Sequence, residues 1–182
     1  MQDKFSIRAR KEGLRARSAY KLLQINNQYH IIKPGDSVLD LGCWPGGWLV
    51  VAKKTNASII VGIDLVDIEK IDGVEFIKGD INKEKTYENI IGKFDVVLSD
   101  LAPKTTGDNV LDVYRSVDLA KTALKIAKKF LKPKGIFLVK IFQGEGYNEY
   151  ISSLKKYFSI VKTIKPLASK TKSREMYILG FR

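Results

Sequence analysis

The sequence predicts a doubly wound, Rossmann-like α/β fold: a seven-stranded, mostly parallel sheet with helices on both faces. Three observations carry this. Short apolar runs alternate with helical patterns along the whole chain. The run Val38-Leu39-Asp40-Leu41-Gly42-Cys43-Trp44-Pro45-Gly46-Gly47-Trp48 joins a strand to a glycine-lined turn that opens into a helix. Gly135 to Phe142 is apolar on both faces, as befits a central parallel strand covered from either side. At 182 residues the chain suits one well-buried domain, 1–182, with residues 1–30 as a basic helical extension.

Taken in order, Ser18 is expected to cap a helix running to about Tyr29, on which Leu14, Ser18, Lys21 and Ile25 share a face by their spacing. Pro34-Gly35-Asp36 breaks it to a strand, Ser37 to Leu41. After the glycine turn come a helix, Trp48 to Thr55, and strands Ser58 to Asp64 and Val74 to Lys78. Lys83 to Ile91 reads as helical and Phe94 to Ser99 as the fourth strand. Asp112 is expected to cap a long helix whose Val113, Val117, Ala120, Leu124, Ala127 and Leu131 keep a near-3.6 period, ended by Pro133-Lys134-Gly135. The fifth strand follows, then a helix from about Tyr147 to Lys156 and two closing strands, Ser159 to Lys165 and Arg174 to Phe181. Ala102 to Leu111, rich in Gly, Thr and Asp, is the expected substrate loop.

Composition narrows the function classes. With 45% hydrophobic and 29% charged residues the chain reads as globular, and no apolar run approaches the eighteen or so residues of a membrane span. Met1 to Lys11 is charged and lacks the apolar centre of a secretory signal. One cysteine, Cys43, and one histidine, His30, exclude an internal disulfide framework and ordinary zinc clusters. An intracellular, metal-free monomer is expected, cytoplasmic by preference, mitochondrial or nucleolar in a eukaryote. The net charge of +12 lies wholly at the two ends, with +5 in residues 1–21, +7 in residues 155–182 and a balance between. Such asymmetry suggests a polyanion-binding face, the alternative being two solvated tails.

The glycine turn specifies the ligand by what it lacks. A dinucleotide site has G-x-G-x-x-G, so that a pyrophosphate rests on the helix amino terminus. Here the run is D-x-G-x-x-P-G-G, and Trp44 and Pro45 occupy the space a phosphate would use. An acid ahead of the turn suits a cation, and S-adenosyl-L-methionine carries both an ammonium and a sulfonium. Gly42, Pro45, Gly46, Gly47 and Trp48 are therefore read as a methyl-donor turn. Asp40, Asp64, Asp80 and Asp100 fall at the carboxyl ends of successive strands, where an open sheet binds ligand. Asp64 suits two ribose hydroxyls, Asp80 the adenine amino group, and Asp40 and Asp100 the cationic methionine end.

The acceptor follows by elimination. Methylation of exocyclic base amines calls for an Asn/Asp-Pro-Pro-aromatic run after the fourth strand, where this chain has Asp100-Leu101-Ala102-Pro103. Methylation of pyrimidine carbon 5 needs a thiol past that strand, and the only one, Cys43, lies in the turn. A hydroxyl oxygen remains, and it needs a base. Lys140 is the one charged residue in Ile136-Phe137-Leu138-Val139-Lys140-Ile141-Phe142, costly there unless it reaches a polar site. Lys21 could supply a second cation beside it, and Asp100 and Glu175 could hold both ammonium groups.

As a set, Arg17-Ser18-Ala19-Tyr20-Lys21-Leu22, the DLGxxPGGW turn, Ser99-Asp100-Leu101-Ala102-Pro103, Val139-Lys140-Ile141-Phe142-Gln143-Gly144-Glu145-Gly146 and Ser173-Arg174-Glu175-Met176-Tyr177 resemble the FtsJ/RrmJ family of ribosomal RNA large-subunit 2′-O-ribose methyltransferases. The resemblance spans nearly the whole chain. It implies that Lys21, Asp100, Lys140 and Glu175 correspond to the family's Lys-Asp-Lys-Glu tetrad, with Lys140 as proton acceptor. It also implies that Gly46, Trp48, Asp64, Asp80 and Asp100 contact S-adenosyl-L-methionine, and that the partner is large-subunit ribosomal RNA. Transfer RNA methylation, or a non-catalytic RNA-binding or ribosome-assembly role on the same fold, are the alternatives. Cys43-Trp44 departs from the family pattern, which usually has two small residues there.

Overall fold

The structure is a computed structural model that describes residues 4–169 and 173–182. In chain order the elements are α1 (Lys4–Lys11), α2 (Ser18–Tyr29), β1 (Ser37–Leu41), α3 (Gly47–Lys54), β2 (Ile59–Asp64), β3 (Glu75–Lys78), β4 (Phe94–Ser99), α4 (Asn109–Phe130), β5 (Leu131–Phe142), α5 (Tyr147–Lys155), β6 (Ile160–Ile164) and β7 (Glu175–Phe181). They build a seven-stranded sheet in the order β3-β2-β1-β4-β5-β7-β6. β7 runs antiparallel to both its neighbours, and the other pairs are parallel. The chain reverses direction across the sheet between β1 and β4, the arrangement that opens a crevice at the carboxyl ends of those strands.

Strand periodicity divides the apolar side chains between two cores. Leu39, Leu41, Val61, Ile63, Val97, Phe137, Val139 and Ile178 cluster with Val117, Ala120, Leu124 and Ala127 of α4 and Tyr150 and Leu154 of α5. Val38, Ile60, Val96, Leu98, Leu138, Tyr177 and Leu179 cluster on the opposite face with Leu22 and Ile25 of α2 and Trp48, Leu49 and Ala52 of α3. Each large apolar side chain so enclosed contributes about 1.5–3 kcal/mol. Among the described residues no helix is long and apolar enough to cross a membrane.

Several local expectations are corrected. Ser18 is the first helical residue of α2, preceded by Arg17 at the cap, which makes no side-chain cap hydrogen bond. The cap of α4 is Asp108, whose carboxylate accepts from the N–H groups of Val110 and Leu111. Asp112 lies one turn further in, and its buried carboxylate accepts from Thr106 N and Oγ1 at 2.9 and 3.1 Å, tying down the preceding loop. Both are acids able to cap, and only the loop path decides between them. Lys83 to Ile91 forms no more than a short 3-10 turn, Glu84–Tyr87. Helix α4 stops at Phe130, and β5 starts at Leu131 rather than Gly135, taking Pro133 into the strand where its register with β4 shifts between Phe94 and Val96. Such an irregularity tolerates the missing proline donor.

The arginines of the basic amino-terminal segment are also partly structural. Arg15 donates to the carbonyls of Glu69 and Lys70 at 2.5 and 3.0 Å, and Arg17 to that of Ala168 at 2.6 Å. These bonds hold the entry to α2 against the loops after β2 and β6, which fixes where Lys21 points.

Candidate active site

Sheet pleating puts the key groups on one face. Positions 38 and 40 of β1, 96 and 98 of β4, 138 and 140 of β5, and 175, 177 and 179 of β7 alternate in phase, and their apolar members belong to the core that α2 covers. Lys140 and Glu175 are therefore directed toward α2, and Lys21 meets them from above. Lys21 Nζ lies 2.6 Å from Glu175 Oε1 and donates to Oε2 at 2.7 Å. Lys140 Nζ lies 2.9 Å from Asp100 Oδ1 and donates to the Asp100 carbonyl at 2.5 Å. Lys21, Lys140 and Glu175 are 8, 7 and 9% exposed, so both ion pairs sit in a largely dry setting where removal of one partner strands the other.

Tyr177 links the pairs, and sequence reasoning gave it no role. Its hydroxyl donates to Asp100 Oδ1 at 2.7 Å, while Lys21 Nζ stands 5.7 Å over its ring. Burial, then the charges of Asp100 and Glu175, push the phenol well above its ordinary range, so it remains a donor. A tyrosine inside an apolar strand, two residues from Glu175 and in phase with it, was the available signal. Ser169 is a second missed contributor, donating to Glu175 Oε1 at 2.8 Å.

Beside the ion pairs a cleft of about 510 Å³ opens at the carboxyl ends of the strands, lined by Gly42, Trp44, Asp64, Asp80, Asp100 and Leu101 among others. Gly42 has φ +76°, and a Cβ there would come within 2.6 Å of Leu101 Cδ2, so both backbone and packing favour glycine at the cleft floor. The Asp64 carboxylate accepts from the N–H groups of Trp44 and Val66 at 2.8 and 2.9 Å, each oxygen keeping a lone pair for a ligand hydroxyl. Asp80 Oδ1 accepts from Asn82 N at 2.9 Å. Asp40, Pro45, Gly46, Gly47 and Trp48 do not line this cleft. Gly46, at φ +100°, and Gly47 pack against Arg15 and Ala16, and the buried Trp48 donates from Nε1 to Ser18 O at 2.9 Å. They join the turn to the segment that carries Lys21.

Asp40 is set apart by its surroundings. It is 1% exposed, and among the described residues neither carboxylate oxygen finds a hydrogen-bond donor. Burial first, then Asp100 and Asp64, push its carboxyl well above the usual range. Asp40 without a donor, close to the partnered Asp64 and Asp100, leaves negative charge at the strand ends that fits a ligand with fixed positive charge, and the ammonium and sulfonium of S-adenosyl-L-methionine supply that. Cys43, beneath them, is buried, and burial followed by Asp40 and Asp64 pushes its thiol far up, leaving a packing group rather than a nucleophile.

A family model described as FtsJ-like methyltransferase matches residues 14–182. The chain belongs to the FtsJ-like methyltransferase family. It is an enzyme of that class, with S-adenosyl-L-methionine as methyl donor. Ribosomal RNA large subunit methyltransferase E of Methanothrix thermoacetophila is 49% identical over 183 residues, covering 98% of this chain and 72% of the relative. The protein of the same name from Archaeoglobus fulgidus is 44% identical, covering 100% of this chain and 96% of its own. Among solved structures, a protein of Plasmodium falciparum described as a ribosomal RNA methyltransferase superposes with a TM-score of 0.81 at 32% identity, over 92% of this chain and 97% of its own. In this FtsJ-like chain the two buried ion pairs converge from α2, β5, β7 and the end of β4, elements that the match to residues 14–182 includes.

Proposed function

We propose that this chain methylates a ribose 2′-hydroxyl of RNA, its target a uridine of large-subunit ribosomal RNA. The observation that carries this reading is the Lys140 amine, buried at the cleft and held by both the carboxylate and the carbonyl of Asp100. The relatives, named ribosomal RNA large subunit methyltransferase E, support the choice of RNA. Asp40, Asp64, Asp80 and Asp100 hold the donor around Gly42, and the turn Pro45-Gly46-Gly47-Trp48 sets their position against α2. When bound, S-adenosyl-L-methionine supplies an electrophilic methyl group on a positively charged sulfur.

In the ion pair Lys140 is an ammonium, so it first releases a proton to solvent; the neutral Nζ then takes the hydroxyl proton, freeing an oxygen lone pair for attack. Asp100 fixes the direction of that amine, and Tyr177 fixes Asp100. Lys21, braced by Glu175, places positive charge where the hydroxyl develops negative charge. The proton acceptor and its supports all come from one chain, so a monomer suffices for the reaction, and the cytoplasm is the compartment this reading favours. The basic ends attract RNA phosphates, so affinity falls steeply with salt.

The test is mass-spectrometric mapping of ribose methylation in ribosomal and transfer RNA after incubation with the wild-type and Lys140→Ala proteins. A large-subunit ribosomal site methylated by the wild type alone, with donor binding retained in the variant, is the expected result. Full turnover by Lys140→Ala would remove this lysine from the proton-accepting role, and methylation confined to transfer RNA would overturn the substrate.

A further inference from the structure

Trp44 is 57% exposed, yet its backbone is fixed. Its N–H is bound by Asp64 Oδ2 at 2.8 Å, while Asp64 Oδ1 binds Val66 N–H at 2.9 Å, so one carboxylate sets two segments of the cleft mouth. Leu65 and Val66, also cleft-lining, are 65 and 52% exposed. Three large apolar side chains thus stand open around a mouth whose deeper groups are acids, Asp64, Asp80 and Asp100. Large exposed apolar groups gathered in one place mark a surface that is covered in the working state. The acids around them repel phosphate and accept from hydroxyl and amino groups.

We propose that Trp44 is a specificity-determining residue of the donor site, its indole forming, with Leu65 and Val66, an apolar slot that grips the adenosine half of the methyl donor. This rests on the reading of the cleft as the donor site. Asp64 places the slot, and the indole face supplies stacking. The surrounding negative charge selects an uncharged nucleoside over a nucleotide.

The two tryptophans make this directly readable, because Trp44 is open while Trp48 is 2% exposed with its Nε1–H bound to Ser18 O. Intrinsic fluorescence is titrated with S-adenosyl-L-homocysteine, adenosine and AMP, with equilibrium dialysis of labelled S-adenosyl-L-homocysteine as the independent measure. Saturable quenching by the first two ligands is expected, lost in Trp44→Phe although dialysis still registers binding, and Trp44→Ala weakens both ligands about tenfold. Quenching that persists in Trp44→Phe, unchanged dialysis constants for Trp44→Ala, or AMP binding as tightly as adenosine would overturn the proposal while leaving the donor site standing. No binding to the wild type by dialysis would overturn the donor site and the proposal together.

Discussion

Replacing Asp40 by leucine should make the donor-free protein more stable and the donor-binding protein worse. The two side chains have the same number of heavy atoms, and Asp40 shares its sheet face with Val38, Val96, Leu98 and Leu138. Among the described residues the buried carboxylate has no donor to either oxygen, a condition that costs about 2 kcal/mol, within the roughly 1–3 usual for an unsatisfied polar group. For a chain of this length, relieving it raises Tm by about 4–8 °C. The pH dependence has a definite sign. Burial and the neighbouring acids raise the Asp40 carboxyl, so the folded state binds a proton more tightly than the unfolded chain and is penalised as pH rises past about 4. The leucine variant's advantage should therefore be largest at neutral pH and narrow toward pH 4. On the proposed role of Asp40 toward the donor ammonium, its removal should weaken donor binding by about ten- to a hundredfold. Donor at a hundred times the wild-type Kd stabilises wild type by about 2.7 kcal/mol and a variant weakened a hundredfold by only about 0.4 kcal/mol, so the gap in Tm closes when donor is added. Thermal unfolding across pH 4–7.5, with and without S-adenosyl-L-homocysteine, reads all of this. A leucine variant that melts below wild type at pH 7 without ligand, or that keeps wild-type donor affinity, would refute the reasoning.

Three further outcomes are expected. Tyr177→Phe removes the hydroxyl that steers Asp100 and should lower stability by about 1.5–3 kcal/mol, seen as a lower urea midpoint at unchanged slope, because a buried bond to a charged group is lost. Glu175→Ala strands the Lys21 ammonium at 10% side-chain exposure and should cost about 3–5 kcal/mol, with an unmoved melting temperature counting against a dry ion pair. Asp95 lies far from the cleft, at the opposite end of β4. Burial alone would raise its carboxyl, but hydrogen bonds from Lys132 and from Ser37 N and Oγ outweigh that and hold it at about 2. Its stabilisation is thus complete above about pH 4, the unfolded value, and lost as pH falls toward about 2. The gap between wild type and Asp95→Asn should close over that interval, modestly because the Asp95 side chain is 34% exposed, and a gap independent of pH would contradict it.

The strands were legible because their apolar runs are short, bounded by Gly, Pro or Asp, and too regular to read otherwise. Ser37–Leu41 and Phe94–Ser99 have the bounds their residues suggest. Helix starts were less legible, since capping depends on which of several small polar side chains the incoming loop presents. Asp108 and Asp112 are equally able acids, and the sequence does not say which of them turns toward the helix amino terminus and which toward Thr106. Lys83 to Ile91 has helical composition but little apolar surface to bury, and only Glu84–Tyr87 coils, pinned by the buried Tyr87. At the site, Lys140 was conspicuous as a charge among apolar neighbours. Tyr177 was not, because an aromatic residue in a strand looks like core until the partner of its hydroxyl is known.

The direction of β7 explains why Glu175 can serve the same site as Lys140. In a parallel sheet every strand offers its last residues to the ligand edge, and a group at the start of a strand lies at the far end. β7 instead runs against β5, so that Glu175, its first residue, pairs with Phe142, the last of β5, and Tyr177 pairs with Lys140. One antiparallel strand thereby delivers its opening residues to the edge where the other strands end. The two-residue pleat then puts Glu175 and Tyr177 on one face, and that is the face α2 crosses with Lys21. A one-residue slip in the β5–β7 register would turn both side chains to the opposite core and leave Lys21 facing apolar groups. Convergence of residues 21, 100, 140, 175 and 177 is thus a consequence of one strand's polarity and one register.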